Sequence, residues 1–86
     1  MKAVFEKRAV KSLGRMQPKL ATAFRSRLAA IATDPFARHS GVEPLKGTDD
    51  AFRLRIGDWR ALYIVDRDTR EVVVQTVDPR GGAYKP

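Results

Sequence analysis

Gly57-Asp58 separates two runs of alternating residues, AFRLRI (51–56) and WRALYIVD (59–66). Two such runs, joined by two residues of which the first is glycine, specify a β-hairpin with a type II′ turn. The turn fixes the register. Ile56 faces Trp59, Arg55 faces Arg60, and Arg53 faces Leu62. Side chains alternate across a strand, so Phe52, Leu54, Ile56, Trp59, Ala61, Tyr63 and Val65 fall on one face. Arg53, Arg55, Arg60, Leu62 and Ile64 fall on the other. Arg55 and Arg60 then repel one another, at a place where an opposite-charge pair would contribute roughly 0.2–1 kcal/mol. A polyanion held between the two guanidinium groups would relieve that conflict.

The rest of the chain supplies the elements that must pack on this hairpin. KAVF (2–5) reads as a short first strand. Ala9, Val10, Leu13 and Met16 follow at helical spacing, with Gly14 as a weak point. Pro18 suits the first turn of a second helix, in which Leu20, Phe24, Leu28 and Ile31 form an apolar stripe. Asp34-Pro35 ends it. Residues 34–50 read as loop, punctuated by Pro35, Gly41, Pro44 and Gly47. After the hairpin, VVVQTV (72–77) reads as a third long strand, and DPRGGAYKP as an irregular tail. The expected fold is α+β: an N-terminal strand and a two-helix hairpin packed on one face of a small antiparallel sheet of about four strands, one domain over residues 1–86. The helices cover only one face. Leu62 and Ile64 therefore need a second cover, from the loop and tail or from a partner.

Charge and composition narrow the function. The 86 residues carry a net charge of +7, which points to a polyanionic or acidic partner. The excess is concentrated in residues 1–45 at +6, against +1 for residues 46–86. There is no cysteine, so no disulfide or cysteine–metal site is expected. The N-terminus has no apolar signal-peptide region, and no apolar run approaches the ~20 residues of a membrane span. The expectation is a cytoplasmic protein with no membrane role. No phosphate-binding glycine loop, zinc pattern or Ser-His-Asp set is present. His39, the single histidine, reads as surface. Asp49, Asp50, Asp58, Asp66 and Asp68 sit where turn chemistry explains them. The remaining constellation is Arg53, Arg55 and Arg60 on the sheet, with Arg80 and Tyr84 in the tail. Guanidinium groups bind phosphate in bidentate fashion and stay charged. A tyrosine beside them can stack a base or transfer a proton. The bland alternative is a solvated basic surface.

LKGTDDAFRLRIGDWRALYIVD followed by VVVQTVDPRGGAY resembles the RelE/ParE superfamily of toxins from bacterial type II toxin–antitoxin systems. The resemblance spans nearly the whole chain. It rests on the Arg-x-Arg, Gly-Asp-Trp-Arg and Arg-x-x-x-Tyr elements in this order. It implies a ribosome-dependent endonuclease that cuts messenger RNA by attack of the RNA's own 2′-hydroxyl, without metal or other cofactor. Carried over by motif position, the site is Arg60, Arg80 and Tyr84 in catalysis, with Arg53 and Arg55 on the RNA phosphates. The resemblance also implies a cognate antitoxin, acidic and partly disordered, that wraps the toxin in a hetero-oligomer.

Three departures from the family bear on mechanism. Arginine stands where relatives often have lysine, and arginine does not deprotonate in proteins. The general base is then Tyr84 or absent. Pro79 stands where many relatives have histidine, and the sequence leaves no C-terminal helix after Tyr84. Two other functions fit the same fold: a ParE-like toxin that inhibits DNA gyrase without nuclease chemistry, and a degenerate module that only binds its antitoxin.

Overall fold

The computed structural model describes residues 1–79. Strand β1 spans Lys2–Phe5, helix α1 Lys7–Arg15, helix α2 Pro18–Thr33, and strands β2 to β5 span Val42–Pro44, Ala51–Ile56, Trp59–Asp66 and Glu71–Pro79. The strands form one sheet in the order β1-β5-β4-β3-β2. The α+β class and the placement of both helices agree with the sequence expectation. The sheet differs from it, having five strands instead of about four. It is also mixed, because β1 runs parallel to β5 while the other pairs are antiparallel. The parallel edge has a simple cause. The two helices connect β1 to the far side of the sheet, so it returns beside β5 and not beside its neighbour in sequence.

β2 is the unexpected strand, lying inside the segment read as loop. It forms because Gly41 adopts a φ of +77° and turns its carbonyl to accept the Arg55 N–H at 2.9 Å. A Cβ at Gly41 would stand 2.9 Å from the Arg55 carbonyl oxygen, so only glycine fits this clasp. β5 also runs two residues further than expected. Asp78 and Pro79 are in the strand, not in an irregular tail.

One layer of core lies between the helices and one sheet face. Ala9, Leu13 and Met16 from α1 and Phe24, Leu28, Ile31 and Ala32 from α2 are buried. They meet Leu54, Ala61, Tyr63, Val65, Val72, Val74 and Val77 from the sheet. Val10, in the helical stripe by spacing, is instead exposed. An aromatic series ties the loop after α2 to this core. Phe36 meets Phe52 edge-on at 6.2 Å, and Phe52 stacks on Tyr63 at 5.4 Å. The Arg67 guanidinium caps the series 4.3 Å from the Phe36 ring centre.

The Tyr63 hydroxyl is buried with no hydrogen-bond partner among the described residues. Burial pushes its pKa from 10.0 up to about 12. The folded protein therefore keeps this proton at a pH where the unfolded chain has lost it. The associated stability is full below about pH 10 and declines by roughly 2–3 kcal/mol as pH rises toward 12. Tyr63→Phe is expected to remove that alkaline decline without loss of stability near pH 7, as read by urea unfolding of both proteins at neutral and alkaline pH. Gly41→Ala is expected to destabilise the protein by about 1–3 kcal/mol in the same measurement, through its strained φ and the contact with Arg55.

Candidate nucleic-acid interface

The site is built on the β3–β4 hairpin. Gly57 has a φ of +60°, while Asp58 has no positive φ, as a type II′ turn requires. The register pairs Ile56 with Trp59, Arg55 with Arg60 and Arg53 with Leu62. Leu54, Ala61, Tyr63 and Val65 are buried against the helices, so Arg53, Arg55 and Arg60 share the face turned away from them. Arg55 is exposed, and Arg53 and Arg60 are half-buried. Neighbouring strands stand about 4.8 Å apart, which lets guanidinium groups on β3 and β4 engage a single phosphate.

Much of the positive charge is balanced within the protein. Arg53 Nη2 donates to Glu43 Oε2 across the β2–β3 pair at 2.7 Å. Arg55 Nε donates to the Gly57 carbonyl at 3.3 Å, which turns its side chain toward the hairpin tip. Asp78 stands directly opposite Arg60 on β5. Leu62 pairs with Thr76 and Tyr63 with Val74, so Gln75 is an extra residue, a β-bulge. The bulge reverses the alternation of β5. Val72, Val74 and Val77 face the core, while Val73, Thr76 and Asp78 face outward with the arginines.

Two acidic residues were thus missed by sequence reasoning. Glu43 lies in a strand of three residues, too short for its period to register. Asp78 reaches the arginine face only through a bulge that no residue type announces. Among the turn carboxylates, Asp66 behaves as expected, its Oδ1 accepting the Asp68 and Thr69 N–H groups, whereas Asp50 pairs with Arg67 at 3.3 Å. His39 places its Nε2 2.7 Å from the Asp34 carbonyl oxygen. Arg80 and Tyr84 lie outside the described residues.

The same face has an apolar strip beside its arginines. Val4, Val73, Ile64 and Ala51 stand in register across β1, β5, β4 and β3, and Leu62 adjoins them. All five are half-buried. A basic row therefore borders an apolar row on the face the helices leave uncovered. The basic row suits a phosphate backbone, and the apolar row suits an amphipathic segment of a protein partner.

Comparison with known proteins agrees with this architecture. Residues 3–84 match the family model described as the ParE toxin of the type II toxin–antitoxin system parDE. RelE1 of Methanocaldococcus jannaschii, named as a toxin, is 32% identical over 80 residues, covering 92% of this chain and 89% of the relative. The RelE–RelB complex from Pyrococcus horikoshii contains a chain similar at a TM-score of 0.79 and 26% identity, with 94% and 96% of the two chains covered. The isolated E. coli RelE toxin has the same fold at a TM-score of 0.79 and 20% identity, covering 96% of this chain and 89% of that one.

The Glu43 side chain is 69% exposed, so its bond to Arg53 positions the arginine more than it stabilises the fold. Glu43→Gln is expected to change unfolding stability by less than about 1 kcal/mol. That difference should vanish in about 1 M salt, where screening acts within ~3 Å. Urea midpoints at low and high salt are the check.

Proposed function

This chain belongs to the RelE/ParE superfamily of toxins from type II toxin–antitoxin systems, and we propose that it acts in the cytoplasm as a ribosome-dependent endonuclease on translated messenger RNA. The observation that carries this reading is the row of Arg53, Arg55 and Arg60 on the open sheet face. Three guanidinium groups gathered on one face, with Arg55 directly opposite Arg60, suit a ligand that brings negative charge. In the proposed reaction the 2′-hydroxyl of the RNA attacks the adjacent phosphate, with no metal. Arg60 and Arg80 hold the scissile phosphate and stabilise the charge it gains in the transition state. Arg53 and Arg55 orient the flanking backbone. Tyr84 transfers a proton or stacks a base.

The partner is a cognate antitoxin. RelE chains of similar fold are seen bound to RelB in the P. horikoshii and E. coli complexes. For this chain, an acidic, partly disordered segment would fold onto the apolar row of Val4, Val73, Ile64 and Ala51, and its charge would complement the net +7. Such a segment covers the arginines and blocks RNA.

A second reading, inhibition of DNA gyrase, is favoured by the ParE description of the matching family model. Expression of the wild-type chain separates the two. Cleaved translated messages with normally supercoiled DNA support the nuclease, whereas intact messages with gyrase-dependent DNA damage support the gyrase inhibitor. Arg80→Ala and, separately, Tyr84→Phe are expected to abolish growth arrest while antitoxin binding is retained. Arg60→Ala is expected to slow cleavage by about 10²–10³-fold, the usual effect of removing one donor to a developing anion. Full toxicity in these variants would remove the arginine face from the mechanism.

A further inference from the structure

Attack by a 2′-hydroxyl requires a group that takes its proton. Arg53, Arg55 and Arg60 cannot, because a guanidinium has no acceptor and does not deprotonate in proteins. Four described carboxylates lie on the arginine face; Asp66 and Glu71 stand at the far ends of β4 and β5, which leaves Glu43 and Asp78 near the arginines, and the positions of these two differ. Glu43 is in the row of Arg53, two strands from the strand of Arg60, and its Oε2 already accepts the Arg53 guanidinium at 2.7 Å. Asp78 is on the strand next to Arg60 and directly opposite it. Its side chain makes no hydrogen bond or ion pair among the described residues. It is half-buried, not freely solvated.

The placement of Asp78 depends on the bulge at Gln75. In an unbroken strand Asp78 would share the parity of Val72 and Val74, and would point into the core. With Gln75 added, Val77 takes the core position at 0% exposure, and Asp78 turns out beside Arg60. Bulges interrupt the hydrogen-bond ladder and recur where a side chain must be re-aimed next to a site. Here the side chain re-aimed is a carboxylate, and its destination is the phosphate-binding row.

We propose that Asp78 is the general base of the cleavage reaction, an inference that rests on the nuclease reading above. The Asp78 carboxylate takes the proton of the 2′-hydroxyl while the 2′-oxygen forms its bond to phosphorus. The bond from phosphorus to the 5′-oxygen breaks, and the leaving oxygen takes a proton from the Tyr84 hydroxyl. Water then returns that proton to Tyr84 and accepts the one held by Asp78. The products are a 2′,3′-cyclic phosphate and a 5′-hydroxyl, with no net change in protons. Charged neighbours of Asp78 are Arg60 on β4 and Arg55 beyond it, with Arg53 and Glu43 in the adjoining row. The helices pack on the opposite face, but Glu6, Lys7 and Arg8 at the start of α1 line a cavity with Gln75 and Thr76, two residues from Asp78.

The test is single-turnover cleavage of ribosome-bound messenger RNA at saturating toxin. It compares the wild type with Asp78→Asn and Asp78→Glu. Asn keeps the shape and removes the base. It is expected to slow cleavage by about 100-fold or more and to leave half-saturation unchanged. Glu keeps the carboxylate and is expected to cleave more slowly than wild type but at least about tenfold faster than the Asn variant. An Asn variant that cleaves within about threefold of wild type overturns the assignment. Urea unfolding and antitoxin binding show whether the Asn variant folds. Should it not, Asp78→Ala takes its place, and cleavage within about threefold of wild type by that folded variant overturns the proposal. A wild-type protein that cuts no message refutes the nuclease reading and the base assignment together. An active wild type with an active Asn variant refutes the base assignment alone.

Discussion

The pairing of Arg55 against Arg60 across the β3–β4 hairpin is the constraint around which the rest of the molecule is arranged. The Gly57 turn sets that register, and a slip of one residue would turn every side chain of a strand to the opposite face. Magnitudes explain why the register holds. Like charges across a hairpin cost a few tenths of a kcal/mol to about 1 kcal/mol. Burying Leu54 alone contributes about 1.5–3 kcal/mol, and Ala61, Tyr63 and Val65 are buried by the same register. Core packing therefore wins, and the charge conflict is retained on the open face. Glu43 and Asp78 flank that conflict from the strands on either side, which moderates it while leaving three cations on one surface.

Two small irregularities convert a packed sheet into a site. The clasp at Gly41 adds β2 and with it Glu43, which fixes Arg53 at 2.7 Å. The bulge at Gln75 lets β5 bury Val77 and present Asp78 outward. Both act on the arginine face, and both set the position of a charged group by local backbone geometry. The apolar strip beside them provides the same face with a second kind of contact. On the proposed function, one surface holds RNA phosphates when free and an antitoxin segment when silenced, so that the two ligands exclude one another.

Local features of this fold were legible in the sequence. The turn type, the hairpin register, the common face of Arg53, Arg55 and Arg60, and both helices follow from glycine placement and periodicity. The Arg-x-Arg and Gly-Asp-Trp-Arg elements also identified the toxin superfamily, which the match over residues 3–84 shows. What escaped was non-local or aperiodic. Parallel pairing of Lys2 with Glu71 joins opposite ends of the chain, and no local pattern encodes it. The three residues of β2 carry no readable alternation. The bulge reverses the parity of β5 after Val74, so alternation would have placed Asp78 in the core. The roles assigned to Arg80 and Tyr84 rest on motif position, since both lie outside the described residues.

The central claim is that the arginine face promotes attack by the RNA's own 2′-hydroxyl. The most direct measurement uses a ribosome-bound message with a single 2′-deoxynucleotide at the position that the toxin cuts in the all-ribose message. The account predicts that the all-ribose message is cleaved to a 2′,3′-cyclic phosphate end and that the deoxy message stays intact at that position. Cleavage of the deoxy message at the same bond would contradict it.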